Sequence, residues 1–124
     1  LINNILKDRN KNQVKDEIVN KIKIRFQKIQ GFPTKELRSI IDQGKKDLKE
    51  GIIIAYAIQE QKLGIAIGVT KELSKKISAV DLIKIGSSVL GGEGGGGRND
   101  FAQAGGKKIE KIDESYKEIL KKIN

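Results

Sequence analysis

The sequence predicts an α/β domain: a small mixed sheet with a central antiparallel hairpin and helices packed on it, preceded by a linker helix over residues 1–20. Two apolar runs carry most of that prediction. Ile52 to Ile58 is continuously apolar, as in a strand covered on both faces, and Leu63 to Val69 repeats the pattern after the polar pair Glu60 and Gln61. Helical stripes flank them: Leu37, Ile40, Ile41 and Leu48 on one side, and Ile109, Ile112, Ile119, Leu120 and Ile123 on the other. Helices laid on a sheet produce this succession. A chain of 124 residues accommodates one such domain with a modest core.

The elements follow in order. Leu1, Ile5, Val14 and Ile18 are helically spaced around a wholly polar stretch, which suits a linker helix or a surface helix packed loosely on the domain. Ile22, Ile24 and Phe26 alternate with Lys23, Arg25 and Gln27, a half-buried strand with a basic outer face. Ile29 breaks the alternation, so a bulge or strand end is expected there. Gly31-Phe32-Pro33 turns the chain, Thr34 caps the next helix with Glu36 in its first turn, and Gly51 stops it. Gly44 on the apolar face of that helix implies a close helix-to-strand contact, and Gly64 and Gly68 imply the same on the second apolar strand. Thr70 is placed to cap a short helix containing Leu73. Ser78, three residues before Asp81, has the spacing of a capping box opening a helix through Leu82, Ile83, Ile85 and Val89. Phe101 to Ala104 is a short strand, Gly105-Gly106 a turn, and the last apolar stripe a closing helix. Residues 21–124 form the domain proper.

Composition excludes several chemistries. There is no Cys, His, Met or Trp, so disulfides, thiolate chemistry and histidine-ligated metal sites are absent. No catalytic and no metal-binding residues are assigned. No apolar run reaches the roughly 20 residues that span a bilayer, and no signal peptide is visible, so a soluble cytoplasmic module without membrane contact is expected. Beginning at Leu1 rather than Met, the chain is expected to be a fragment. The formal net charge is +9, and the first fifty residues hold 13 of the basic groups against 7 acidic ones. Such a surplus suits a polyanionic partner, and equally a solvated Lys-rich surface.

Eight of the 14 glycines fall between Gly91 and Gly106. A run this dense cannot be a helix or strand interior at ordinary entropic cost, so a turn or a close backbone approach is required of it. Gly92, Gly94 and Gly97 satisfy the dinucleotide-binding spacing, but a helix precedes them and a strand follows, the reverse of that motif. No Walker loop is present, because Lys108 follows Gly106-Lys107 and no glycine lies five positions before Gly106. Exposed amides ending at Arg98 can form an anion-binding concavity; a plain connecting loop has the same composition.

The order Gly91-Gly92-Glu93-Gly94-Gly95-Gly96-Gly97-Arg98-Asn99-Asp100-Phe101-Ala102-Gln103-Ala104-Gly105-Gly106 resembles the signature at the carboxy-terminal end of alanyl-tRNA synthetases. Leu37-Arg38-Ser39-Ile40-Ile41-Asp42 is similar to that family's L-R-x-x-x-D segment, and the resemblance covers roughly residues 20 to 124. Glu93 stands where Lys is usual, which weakens a phosphate grip there, and Asn99 stands where Pro is usual, which implies a more mobile loop exit. The resemblance implies a non-catalytic, DHH-associated domain that binds the tRNA elbow and couples aminoacylation with editing. It places ATP, magnesium and zinc in other parts of the parent ligase and no cofactor in this chain. The contacts implied are Gly94, Gly95, Gly96, Gly97, Arg98, Gln103, Lys107 and Lys108, supported by a basic surface of Lys23, Arg25, Lys28, Lys45, Lys46 and Lys49. Two other expectations stand beside it. One is the substrate-binding half of a DHH-type phosphoesterase or single-strand nuclease, a group whose glycine motif carries a His that this chain lacks. The other is a homodimerisation module using the amino-terminal helix and the outer face of the sheet.

Overall fold

The computed structural model describes residues 12–19, 21–30, 37–59, 62–92 and 96–123. The elements are β1 (Asn12–Val19), β2 (Ile22–Gln30), α1 (Leu37–Leu48), β3 (Ile52–Gln59), β4 (Lys62–Val69), α2 (Ala79–Val89), β5 (Gly96–Gly97), β6 (Phe101–Gly106) and α3 (Ile112–Ile123), with single 3-10 turns at Leu73–Lys75 and Ile109–Lys111. The strands form one sheet in the order β1-β2-β3-β4-β6-β5. Only β2 and β3 pair in parallel; the other neighbours are antiparallel. A parallel pair needs a crossover, and α1 supplies it. The expected mixed sheet around an antiparallel hairpin is what forms.

Both faces are covered, which is why β3 and β4 read as uninterrupted apolar runs. Ile52, Ile54, Tyr56 and Ile58, with Leu63, Ile65, Ile67 and Val69, pack with residues of α2 and α3. Ile53, Ala55, Ala57 and Ala66 point the other way, toward Leu37, Ile41 and Leu48 of α1.

Helix α1 crosses the strands one after another. Arg38 lies over the Phe101 ring of β6, 5.5 Å from its centroid, and Ile41 lies on Gly68 of β4. Gly44 lies on Ile53 of β3, and Asp47 bonds Arg25 of β2 at 3.0 Å. These four strand residues are consecutive partners in one row of the sheet: Arg25 opposite Ile53, Ile53 opposite Gly68, Gly68 opposite Phe101. Three helical residues advance about 4.5 Å, close to the roughly 4.8 Å between strands, so every third residue meets the next strand. Gly44 and Gly68 make this crossing possible. A Cβ on Gly44 would lie 2.6 Å from Ile53 Cγ1, and one on Gly68 would overlap Ile41 Cγ2. The close contact expected of these glycines is borne out.

Several expected details differ. Residues 12–19 are a strand, not part of a linker helix; residues 1–11 lie outside the described ones. Val14 and Ile18 are four apart, a spacing that shares a face in a helix and in a strand alike, and both remain 59% and 70% exposed. What fixes β1 is its partners. Asp16 accepts from Arg25 at 2.9 Å, and Glu17 accepts a hydrogen bond from the Tyr116 hydroxyl of α3. Of the bulge or strand end expected at Ile29, the bulge is absent, since Ile29 pairs in unbroken register with Asn12 and Ala57 on the α1 face, while the strand does end one residue later, at Gln30. The turn at Gly31-Phe32-Pro33, the Thr34 cap with Glu36, and the Glu60-Gln61 loop lie outside the described residues.

At the end of α1 the left-handed position is taken by Lys49 (φ 64°), not by Gly51. Gly51 serves packing, since its Cβ would lie 2.6 Å from the Lys23 carbonyl oxygen. Thr70 caps no helix. Its Oγ1 accepts from the Gly51 N–H and its own N–H donates to the Gly51 carbonyl, each at 3.1 Å, tying β4 to the start of β3. Ser78 does occupy the N-cap of α2, but its hydroxyl donates to Asn99 Oδ1 at 3.1 Å and no capping box forms. Gly105 and Gly106 are the end of β6, paired with Gly64 and Leu63, rather than a turn.

Candidate nucleic-acid interface

The glycine segment divides by function. α2 ends at Val89, and Gly91 takes a left-handed φ of 73°, the usual glycine exit from a helix. Gly92 donates to the Ser87 carbonyl at 2.9 Å and lies so close to the Gly105 carbonyl that a Cβ would overlap it. These two glycines serve the fold. Glu93, Gly94 and Gly95 lie outside the described residues. Gly96 and Gly97 then pair with Gln103 and Ala102 as the outermost strand. A Cβ on Gly97 would meet the Phe101 carbonyl, whereas one on Gly96 would meet nothing within 4 Å. Gly96 is open backbone at the edge of the sheet.

The segment leaves that edge through a tight turn. The Arg98 N–H donates to the Phe101 carbonyl at 2.6 Å, and the Arg98 side chain is exposed, 3.8 Å from Asp100 Oδ1. Asn99 is held twice, by the Ser78 hydroxyl and by the Ala79 N–H, which donates to its carbonyl at 2.8 Å. The side-chain bond is one a proline could not make, so the loop exit is anchored where greater mobility was expected. Gln103 is exposed beside Gly96. It shares the α1 face with Phe101, and Arg38 stacks on that ring. Open glycine backbone, an amide, an exposed arginine and an arginine–aromatic pair thus lie together along the β5–β6 edge.

The predicted basic residues do not form one patch. Lys23 and Arg25 at the start of β2, and Lys45, Lys46 and Lys49 at the end of α1, lie at the end of the sheet where β6 begins and Arg98 sits. Lys107 and Lys108 follow β6 at the opposite end, where their N–H groups donate to the Leu90 carbonyl at 3.0 and 2.8 Å. Lys28 points to the α2–α3 face with Ile24 and Phe26. Arg25 is already engaged: Asp16 and Asp47 flank it at 2.9 and 3.0 Å, and its side chain is 18% exposed. The Asp16 hydrogen bond, more than Asp47, outweighs burial and holds the guanidinium above its usual pKa; in return Arg25, followed by Gln43, lowers that of Asp47. Reading the sequence missed Arg38 as a member of the site. Its only signal was its place in the L-R-x-x-x-D segment, because nothing local announces that Phe101 lies beneath it. Among the described residues no helix is long and apolar enough to cross a membrane.

The DHHA1 domain model matches residues 11–124, and the chain belongs to that family. The C-Ala domain of Aquifex aeolicus alanyl-tRNA synthetase superposes with a TM-score of 0.81 at 33% identity, covering 86% of this chain and 96% of that one. The alanine–tRNA ligase of Hyphomonas neptunium is 39% identical over 103 residues, which are 83% of this chain and 12% of the ligase. That of Parvibaculum lavamentivorans is 46% identical over 93 residues, 74% of this chain and 10% of the ligase. The chain therefore spans 10–12% of the length of these relatives. The resemblance read in the glycine signature is borne out, as is the fold that it implied.

Proposed function

We propose that this chain is the non-catalytic tRNA-binding domain of an alanine–tRNA ligase, that it recognises the tRNA elbow, and that it couples aminoacylation with editing. The observation that carries the reading is the β5–β6 edge, where Gly96 presents unobstructed backbone next to Gln103, Arg98 and the Arg38–Phe101 pair. An unstacked base can approach glycine backbone closely and lie on an aromatic or guanidinium plane, the means by which proteins read folded RNA. Lysines at both ends of the sheet would add salt-dependent phosphate attraction. Alanine activation with ATP and magnesium, and any zinc-dependent editing, would belong to other parts of the parent ligase.

The test is binding of the chain to a tRNA and to an unstructured RNA of equal length at two salt concentrations. Tighter binding to the tRNA at both is expected. Equal binding of the two would refute elbow recognition. A homodimer is a compatible second reading, favoured by the outer edge of β1, where Val14 and Ile18 are exposed on the α1 side of Asp16. Molecular mass by light scattering across a concentration series would rise with concentration if β1 pairs with a second copy, and would stay monomeric otherwise.

A further inference from the structure

Among the described residues, Lys21 (φ 67°) and Lys49 (φ 64°) are the non-glycine residues with left-handed backbone. Each sits where local structure selects glycine. Lys21 belongs to the two-residue connection between Val19 and Ile22, which pair as the last rungs of the β1–β2 hairpin. Lys49 is the first residue past α1, the position that ends a helix. A side chain is disfavoured in that conformation at both. Two unrelated local motifs thus carry a lysine in place of the preferred residue, and both lysines line the same concavity of about 360 Å³, together with Lys23. Its apolar lining is Ile22, Leu48 and Leu73.

Among the described residues, no carboxylate lies within ion-pair distance of Lys21, Lys23 or Lys49, although Glu50 borders the same hollow. Arg25, two residues beyond Lys23, is held by two aspartates. Strained backbone persists where surrounding structure or function requires it, and here it holds two like charges beside a third. We propose that this hollow is a phosphodiester-binding subsite for the RNA backbone, with the lysines around the phosphate and the apolar lining beneath the ribose. It lies at the end of the sheet shared with Arg98. The proposal rests on the tRNA-binding reading for the carrier of the phosphate.

The experiment uses the 124-residue chain. Lys21→Gly with Lys49→Gly removes both charges and relaxes both backbones, so the melting temperature holds or rises. Affinity for tRNA is expected to fall, and the slope of log affinity against log salt to shrink by about 0.7–0.9, the value for one phosphate. Lys23→Gln, which leaves both turns untouched, should act in the same direction. Lys84→Ala with Lys122→Ala, an equal charge loss on α2 and α3, should change affinity less. Unchanged tRNA affinity and slope in the glycine double variant and in Lys23→Gln would overturn the subsite. If the parent chain binds no tRNA, the broader reading fails by itself, and a titration with inorganic pyrophosphate decides the subsite. Amide shifts at Lys21, Lys23 and Lys49 that vanish in the glycine double variant support it; their absence in the parent chain overturns it.

Discussion

Tyr56 and Ser115 share a buried hydrogen bond of 2.9 Å between the middle of β3 and the first turn of α3. The direction follows from counting protons. Ser115 Oγ donates its single hydrogen to the Gly86 carbonyl of α2 at 3.0 Å, so the Tyr56 hydroxyl must donate to Ser115. One serine thereby joins two helices and the central strand. Tyr56→Phe removes a donor and leaves Ser115 satisfied, and should cost about 1 kcal/mol, whereas Ser115→Ala strands a buried phenol and should cost about 1–3 kcal/mol. Urea denaturation of the two variants gives the order; a larger loss in Tyr56→Phe would contradict the assigned direction.

Alkali should unfold the domain through its tyrosines. Burial pushes the Tyr56 phenol above its usual 10.0. Burial and then the Glu17 hydrogen bond do the same for Tyr116. An unfolded chain releases these protons near pH 10 while the native chain keeps them. Their contribution to stability is therefore complete below pH 10 and declines as pH rises beyond it. The melting temperature should fall above that point, less steeply in Tyr56→Phe. Phenolate absorbance from the chain's 2 tyrosines should appear together with unfolding. A phenolate band titrating near pH 10 in a still-folded protein would show the environment of these rings to be different.

Acid should act on the contact between α1 and β2. Arg25, followed by Gln43, lowers the pKa of Asp47 below 3.8, so the stability this carboxylate contributes is present above pH 3.8 and is lost as pH falls through the lower native value. Asp47 is exposed, and the effect is correspondingly small. Urea midpoints of the parent chain and Asp47→Asn should differ slightly at neutral pH and converge in strong acid. A difference that persists undiminished there would mean that the asparagine acts through packing.

Three glycines separate structural from interface roles. Gly68→Ala forces Ile41 and with it α1 off the sheet, and should cost about 1–3 kcal/mol. Gly92→Ala meets the backbone of Gly105, which has less freedom to move than a side chain, so a larger loss of melting temperature is expected. Gly96→Ala enters open space and should change stability by no more than about 0.5 kcal/mol. If the β5–β6 edge binds RNA through close backbone approach, only this last variant loses tRNA affinity while keeping its melting temperature. Full affinity in Gly96→Ala would remove that glycine from the interface.

The legibility of this chain follows the range of the interactions involved. β3 and β4 were readable because burial on both faces makes every residue apolar, a signal contained in the run itself. Gly44 and Gly68 each announced a close approach, yet that they flank one crossing depends on the strand row, which no local pattern encodes. β1 was misread because Val14 and Ile18 satisfy two periods at once, and the ties that decide between them, Arg25 to Asp16 and Tyr116 to Glu17, span 9 and 99 residues. The glycine signature showed the family, but the division between Gly92 as packing and Gly96 as open edge depends on which backbone passes beneath. The left-handed lysines were invisible for a related reason: Lys21 and Lys49 stand where glycine marks a turn, and composition shows only two more charges.

The passage of α1 across the row from Arg25 to Phe101 makes the helix a spacer cut to the width of the sheet. Its residue count between Asp47 and Arg38 is matched to a number of strands rather than to a length of loop. One residue inserted or removed between them would rotate every later contact by about 100° and put a polar side chain on Ile53 or Gly68. The two ends of the helix are therefore set together. The Asp16–Arg25–Asp47 cluster at one side of the sheet fixes where Arg38 meets Phe101 at the other, so the poise of the glycine edge is decided in part four strands away.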